Sequence, residues 1–225
     1  MLWSIVIPVL NEAGRLRACL ESLQQFRSQA EIIVVDGHST DQSLLDIEPL
    51  CDQVLASLPG RARQMNQGAS IASGDWLLFL HADTRLPDLP TGVSPQLDHP
   101  AKHYLWGFFP VAMSNKATRF RVIAWFMNRR STLTGVATGD QALYVKHDTY
   151  RELSGYADVL LMEDVEICKR LRQLSPPLIQ PVEVISSARR WEQHGFIRTI
   201  FTMWGLRLAY VLGVSPKRLA RIYYG

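Results

Sequence analysis

The sequence predicts an α/β fold with a mostly parallel central sheet flanked by helices. Three observations carry that prediction. Short apolar runs, Trp3 to Val9, Glu31 to Asp36 and Trp76 to Leu80, are bounded by turn residues, as strands buried on both faces of a parallel sheet are. Segments with apolar residues at helical spacing separate them, the pattern of right-handed βαβ units. Two of the runs lead into carboxylates, Asp36 directly and Asp83 by way of His81. Ligands of open α/β sheets bind outside the carboxyl ends of the strands, so both aspartates are expected where a ligand sits.

The elements follow in order. After the strand Trp3 to Val9, Asn11-Glu12 opens an amphipathic helix with Leu16, Cys19, Leu20, Leu23 and Phe26 on one side. The strand ending at Asp36 comes next. Ser39, Thr40 or Asp41 then caps a short helix with Leu44, Leu45 and Ile47 on one side. Gln53 to Ala56 is a short third strand, and Arg61 to Ala72 is a helix stopped by Ser73-Gly74. Beyond the strand that reaches Asp83, Asp88 to His103 is proline-rich and loop-like. Tyr104 to Ala112 is a strand, Arg119 to Asn128 a helix and Gln141 to Val145 a strand. Glu163 to Leu174 is a helix ended by Ser175-Pro176-Pro177. The division is one domain over residues 1–185 and a basic, helical, aromatic-rich extension over 186–225.

Composition bounds the function classes. A chain of 225 residues, 47% hydrophobic, can bury one sizeable core. Three dispersed cysteines without a CxxC spacing argue against a disulfide framework or structural zinc, and for a reducing compartment. The net charge of +3 hides an asymmetry: residues 1–115 carry 7 Lys/Arg against 12 Asp/Glu, and residues 116–225 carry 17 against 9. A basic half suits an anionic partner. Nucleic acid is disfavoured, because no zinc-finger spacing, RNP-type aromatic motif or helix-turn-helix is found. No basic, apolar leader opens the chain, and Arg198 and Arg207 interrupt its most apolar stretch, Phe196 to Val214. The expectation is a cytoplasmic protein, free or peripheral to the inner face of the membrane.

No GxGxxG follows the first strand, and neither a P-loop nor a GxSxG elbow is present. The first turn, Pro8 to Gly14, is polar and glycine-poor, and suits a base and ribose better than a wrapped pyrophosphate. Five motifs then stand in register: Ser-Ile-Val-Ile-Pro-Val-Leu-Asn-Glu at 4–12, Ile-Ile-Val-Val-Asp-Gly-His-Ser-Thr-Asp at 32–41, Ser-Gly-Asp-Trp-Leu-Leu-Phe-Leu-His-Ala-Asp-Thr at 73–84, Gly-Tyr at 155–156 and Met-Glu-Asp-Val-Glu-Ile at 162–167. Together they resemble family 2 glycosyltransferases of the GT-A fold. Ser-Ala-Arg-Arg-Trp-Glu at 187–192 and Leu-Gly-Val-Ser-Pro at 212–216 resemble a bacterial subgroup of that family with unassigned acceptors.

The resemblance implies roles. Asp36 would accept a hydrogen bond from the N3–H of uracil, with Pro8, Asn11 and Glu12 lining the base and ribose pocket; the alternative for Asp36 is a turn or cap. Arg61 and Arg63 would reach the nucleotide, although two residues apart they do not share a helix face, and Arg61 is the one taken as inward. Asp83 would bind Mn²⁺ or Mg²⁺. The family writes this motif Asp-x-Asp; here His81 takes the first place. It acts either as an imidazole ligand, which would favour Mn²⁺, or as a contact to ribose or phosphate. His194 is a further metal candidate, and Asp140 a contact to acceptor or donor sugar. Asp164, with Glu163 beside it, would be the catalytic base, its ionised form favoured by a helix N-terminus. The structural alternative is that both are first-turn acids.

The implied activity is metal-dependent, inverting transfer from a nucleotide diphosphate-sugar, UDP-sugar favoured, to an unknown acceptor that could be lipid-linked. The tail would be either an interfacial helix touching the membrane or a packing and homodimer surface. Two other readings are a non-catalytic nucleotide-sugar-binding protein and a sugar-1-phosphate nucleotidyltransferase. The second would need a glycine-rich phosphate loop after the first strand, which Pro8 to Gly14 does not supply.

Overall fold

The computed structural model describes residues 2–87 and 104–224; within them the side chains of Arg190, His194, Phe196, Ile197 and Tyr224 are left aside. The chain runs through β1 (Trp3–Val9), α1 (Arg15–Leu23), β2 (Ala30–Asp36), β3 (Gln53–Ala56), α2 (Arg61–Ile71), β4 (Trp76–Phe79) and β5 (Thr84–Arg85). It continues with β6 (Trp106–Phe108), β7 (Val111–Met113), α3 (Thr118–Thr134), β8 (Tyr144–Lys146), α4 (His147–Glu152) and α5 (Glu163–Leu174). The last elements are β9 (Leu178–Ile179), β10 (Val184–Ser186), α6 (Arg189–His194), α7 (Phe196–Val211) and α8 (Pro216–Tyr224).

Seven strands form one sheet in the order β3-β2-β1-β4-β8-β6-β9. β1 pairs in parallel with both β2 and β4, and β2 with β3. β8 enters antiparallel between β4 and β6, and β9 pairs in parallel with β6. A second sheet has the order β5-β10-β7. Both faces of β1 are covered, which is why its sequence is a continuous apolar run. Ile5, Ile7 and Val9 join Leu16, Cys19, Leu20 and Leu23 of α1 in one core cluster. Val6 joins Ile33 and Val35 of β2 and Ala62, Met65 and Ala69 of α2 in the other.

The expected βαβ order holds, with local departures. α1 starts only at Arg15, because Asn11 (φ 55°) and Gly14 (φ 77°) turn the chain first. The helix expected after Ser39 is replaced by turns and the 3-10 turn Glu48–Leu50. Asp41 takes the backbone N–H and hydroxyl of Ser43, and Asp46 sits at φ 53°, so side-chain bonds and a left-handed residue displace helix. The strand expected over 104–112 splits at Phe109-Pro110 into β6 and β7, which belong to different sheets. The segment expected as strand from Gln141 begins instead with a 3-10 turn, Gly139–Gln141, closed by reciprocal bonds between Thr138 and Gln141. The proline-rich stretch 88–103 lies outside the described residues. β10 runs to Ser186, past the division drawn at 185. Beyond it, Trp191 of α6 joins the cluster of Phe120 and Ile123 on α3, while Leu206 of α7 and Leu219 of α8 join Leu161 and Met162.

α2 lies close enough to the sheet that Gly68 has no room for a side chain: a Cβ there would stand 2.4 Å from Val6 Cγ1 and 3.0 Å from Val35 Cγ2. Gly68→Ala is therefore expected to destabilise the protein by about 1–3 kcal/mol, read as a lower urea midpoint at unchanged m-value.

Candidate active site

The parallel strands deliver their carboxyl ends to one edge of the sheet. Gln64, buried on α2, donates both protons of Nε2 to this edge, to the carbonyls of Val9 (2.7 Å) and Val35 (2.8 Å). The loops after β1 and β2 are then latched together. Ser39 Oγ accepts the Asn11 N–H at 3.0 Å, Asn11 Oδ1 accepts the Thr40 N–H at 2.8 Å, and Ser43 Oγ accepts the Glu12 N–H at 2.7 Å. Glu12 also pairs with Arg15, and Pro8 is buried within β1. Asp36 receives the Ser39 N–H at 3.1–3.2 Å and its hydroxyl at 2.5 Å. The turn role weighed for Asp36 is thus real. A carboxylate offers about four lone-pair sites, so acceptor capacity remains for a further N–H.

A second group gathers across the neighbouring strand. Beyond β4 the chain turns at His81, whose carbonyl accepts the Thr84 N–H at 3.0 Å. The Cys19 thiol of α1 donates to the Thr84 carbonyl at 3.3 Å, and burial, with the charge of Asp83 second, pushes it up to about 12. This thiol therefore anchors the turn and stays protonated. The His81 ring lies against the 3-10 turn: a Cβ on Gly139 would stand 2.0 Å from its Cε1 and 2.1 Å from its Nε2. The Gly139 N–H donates to Asp164 Oδ2 at 2.8 Å. His81, Gly139 and Asp164 thus form one row, from the end of β4 to the start of α5. Arg61, at the start of α2, faces the buried Glu163 at 3.9 Å. Asp140 Oδ1 accepts the Ser186 hydroxyl at 3.1 Å.

Asp164 departs from the sequence expectation in its ionisation. Burial, with the charge of Glu163 second, raises its carboxyl from the usual 3.8 to about 7; Arg61 and the Gly139 N–H pull the other way without cancelling them. The position at the N-terminus of α5 does not cancel the effect of burial. A helix terminus contributes about 0.3–1 kcal/mol at an exposed site, less than the removal of a carboxylate from water costs.

Other expectations divide. Arg63 is committed to Asp158 through two bonds, 2.8 and 3.0 Å, on exposed surface, so of the two arginines only Arg61 meets the carboxylate group. The side chain of His194 lies outside what is described. Among the described residues, no three His, Cys, Asp or Glu side chains gather as a metal cluster. The Gly-Tyr motif proves to be a brace. Asn66 of α2 accepts the Tyr156 N–H (2.9 Å) and the Tyr150 hydroxyl (2.6 Å), and donates to the Tyr156 carbonyl (2.8 Å). The Tyr156 ring meets Phe79 edge-on at 5.1 Å. Arg130 of α3 carries no signal in the sequence, where it reads as half of a solvated Arg-Arg pair. In the fold it is largely buried behind Asp140 and Asp164, bonded through Nη2 to Ser131 and Gln141, with no partner for Nε among the described residues. Burial lowers its pKa against the raising effect of Cys168, Asp140 and Asp164.

Solved structures share this architecture. S. aureus TarS, residues 1–349, superposes with a TM-score of 0.66 at 16% identity, over 84% of this chain and 61% of that one. A mannosyltransferase from Pyrobaculum calidifontis, solved with GDP-Man and Mn²⁺, gives 0.64 at 18% identity over 92% and 60%. The fold is GT-A, the nucleotide-diphospho-sugar transferase architecture. The family model described as Glycosyl transferase family 2 matches residues 4–152, and the chain belongs to that family. Among curated relatives, a PGL/p-HBAD biosynthesis glycosyltransferase of Mycobacterium tuberculosis is 39% identical over 99 residues, 40% of this chain and 38% of the relative. An uncharacterized glycosyltransferase of Haemophilus influenzae is 37% identical over 84 residues, 36% of this chain and 29% of the relative. The match thus spans well under half the length of these relatives.

The Asp164 shift has a signed consequence for stability. The folded pKa lies above the unfolded one, so between about pH 4 and 7 the folded state binds more protons and loses stability as pH rises. Urea titrations at several pH values should show Asp164→Asn gaining on wild type across that window, by at most about 1.4 kcal/mol per pH unit, and levelling above it.

Proposed function

We propose that this chain transfers a sugar, with inversion, from a nucleotide diphosphate-sugar to the hydroxyl of an acceptor, with Asp164 as general base. The observation that supports it most is the row His81–Gly139–Asp164 beside the Arg61–Glu163 pair, at the carboxyl edge where a GT-A fold takes its donor. In this reading Asp164 takes the acceptor hydroxyl proton as the acceptor oxygen bonds to sugar C1. The bond from C1 to the phosphate oxygen breaks, and its electron pair leaves with the nucleoside diphosphate. A carboxyl near 7 is half-ionised at neutral pH, a level suited to a general base. Arg61 stands where a guanidinium can meet the departing diphosphate, and Glu163 holds it there.

Asp36, Asn11, Glu12 and Pro8 form the base and ribose side. A UDP-sugar is the favoured donor; TarS has been solved with UDP and with UDP-GlcNAc, and the mannosyltransferase with GDP-Man. The reading specifies the acceptor only as a hydroxyl compound; a lipid-linked acceptor is the candidate that the basic C-terminal helices would suit. Asp83 and His81 would hold a divalent cation, Mn²⁺ or Mg²⁺. Among the described residues no three such donors gather, which fits a cation bound largely by substrate phosphates. When bound, it would neutralise charge on the leaving diphosphate.

Thermal-shift titration with UDP and GDP, with and without Mn²⁺, is expected to show one nucleotide stabilising wild type in the presence of metal, with the shift lost in Asp83→Ala. At one hundred times its dissociation constant a ligand adds about 2.7 kcal/mol. Asp164→Asn should keep that shift and lose transfer by about 10²–10⁴-fold. In wild type, kcat/KM should rise with pH and level off above about 7. A wild-type rate in Asp164→Asn would remove the base assignment.

A further inference from the structure

We propose that the outer faces of α3 and the α7–α8 pair form a docking face for an anionic phospholipid surface. On α7, Phe201, Trp204, Leu208 and Val211, together with Leu212 that caps its C-terminus, are 61–78% exposed. At 3.6 residues per turn they fall within a sector of about 100°, with Arg198 beyond one margin and Arg207 beyond the other. α8 continues the surface with exposed Lys217, Arg218, Arg221 and Ile222. α3 repeats the arrangement: Trp125 and Phe126, 59% and 54% exposed, lie on one side with Val122 and Leu133, among exposed Arg119, Arg121 and Arg129. α6 lies between α3 and α7, with Trp191 packed against the buried side of α3 and further contacts to α7.

Charge selects the occupant. Neither α3 nor residues 193–225 contain a single Asp or Glu, while together they carry nine Lys/Arg. A symmetric contact with a second copy would oppose arginines to arginines around the same apolar stripe. An anionic bilayer takes tryptophan, phenylalanine and leucine at its interface and basic residues among its headgroups. Among the described residues no helix is long and apolar enough to cross a membrane, so this face lies on the surface.

The inner sides of the same helices hold the active-site loops. Ser131 of α3 donates its hydroxyl to Gln141 Oε1 at 2.6 Å, within the turn that supplies the Gly139 N–H. Leu206 of α7 and Leu219 and Ala220 of α8 are buried with Leu161 and Met162, the residues just before Glu163 and Asp164. A docked enzyme would thus present its cleft in a set orientation to a lipid-linked acceptor; that purpose, unlike the docking itself, rests on the proposed transfer.

Co-sedimentation of the full chain with vesicles tests this. Phosphatidylcholine vesicles containing about 30% phosphatidylglycerol should bind the protein at least about tenfold better than phosphatidylcholine alone, and lose it at about 0.5 M salt. Trp204→Gln with Leu208→Gln should weaken binding about tenfold. Arg198→Gln with Arg218→Gln and Arg221→Gln should remove the preference for anionic lipid. Both variants should keep the wild-type nucleotide thermal shift, which shows that they fold. Wild type left in the supernatant, unchanged binding by the Trp204/Leu208 variant, or a lipid-free dimer that this variant dissolves would each overturn the proposal. Vesicle binding with no nucleotide shift would leave the docking face standing and remove the transferase reading instead.

Discussion

One backbone N–H holds the cleft together. The Gly139 amide reaches Asp164 at 2.8 Å while the Cα of the same residue lies under the His81 ring, so a single glycine sets the spacing between the end of β4 and the start of α5. No side chain could replace it, because a Cβ would occupy the space of the imidazole. The turn that offers this amide is itself held by Thr138, Gln141 and Ser131, and Ser131 belongs to α3. The geometry of the candidate site therefore depends on a helix that no functional motif marks.

The same constraint governs the electrostatics. Asp164 sits at a helix N-terminus, receives an amide and lies near Arg61, three influences that favour its charge. Burial and the neighbouring Glu163 outweigh them. The balance leaves a carboxyl near 7, neither permanently ionised nor permanently protonated at neutral pH. Arg130 extends the pattern as a guanidinium whose pKa burial lowers, against the raising effect of Cys168, Asp140 and Asp164.

Rigidity around the cleft comes from side-chain amides and a guanidinium placed between elements. Gln64 joins the ends of β1 and β2, and Asn66 joins α2 to the Tyr150–Tyr156 loop. Arg170 joins α5 to the carbonyls of Leu153 and Gly155. Each satisfies backbone or hydroxyl groups that would otherwise be stranded within the protein. The Gly-Tyr motif belongs to this scaffolding.

The sequence by itself determined the parallel βαβ core and the sheet edge to which its strands deliver their carboxyl ends. Apolar runs buried on both faces and helical periodicity are local signals, and β1, β2, β3, α2, β4 and α5 were legible from them, with the positions of the candidate residues Asp36, Asp83 and Asp164 relative to those elements. The tertiary structure decided what distance in sequence conceals. Asp41 and Ser43 turn an expected helix into a loop; Pro110 hands one expected strand to two sheets. Arg63 goes to Asp158 while Arg61 goes to Glu163, a choice that depends on where two remote acids arrive. The ionisation of Asp164 depends on burial and on Arg61 and Gly139 as well as on the adjacent Glu163, and that of Arg130 on burial beside Cys168 and Asp164; desolvation is set by everything packed around a charge, which the neighbouring sequence does not reveal.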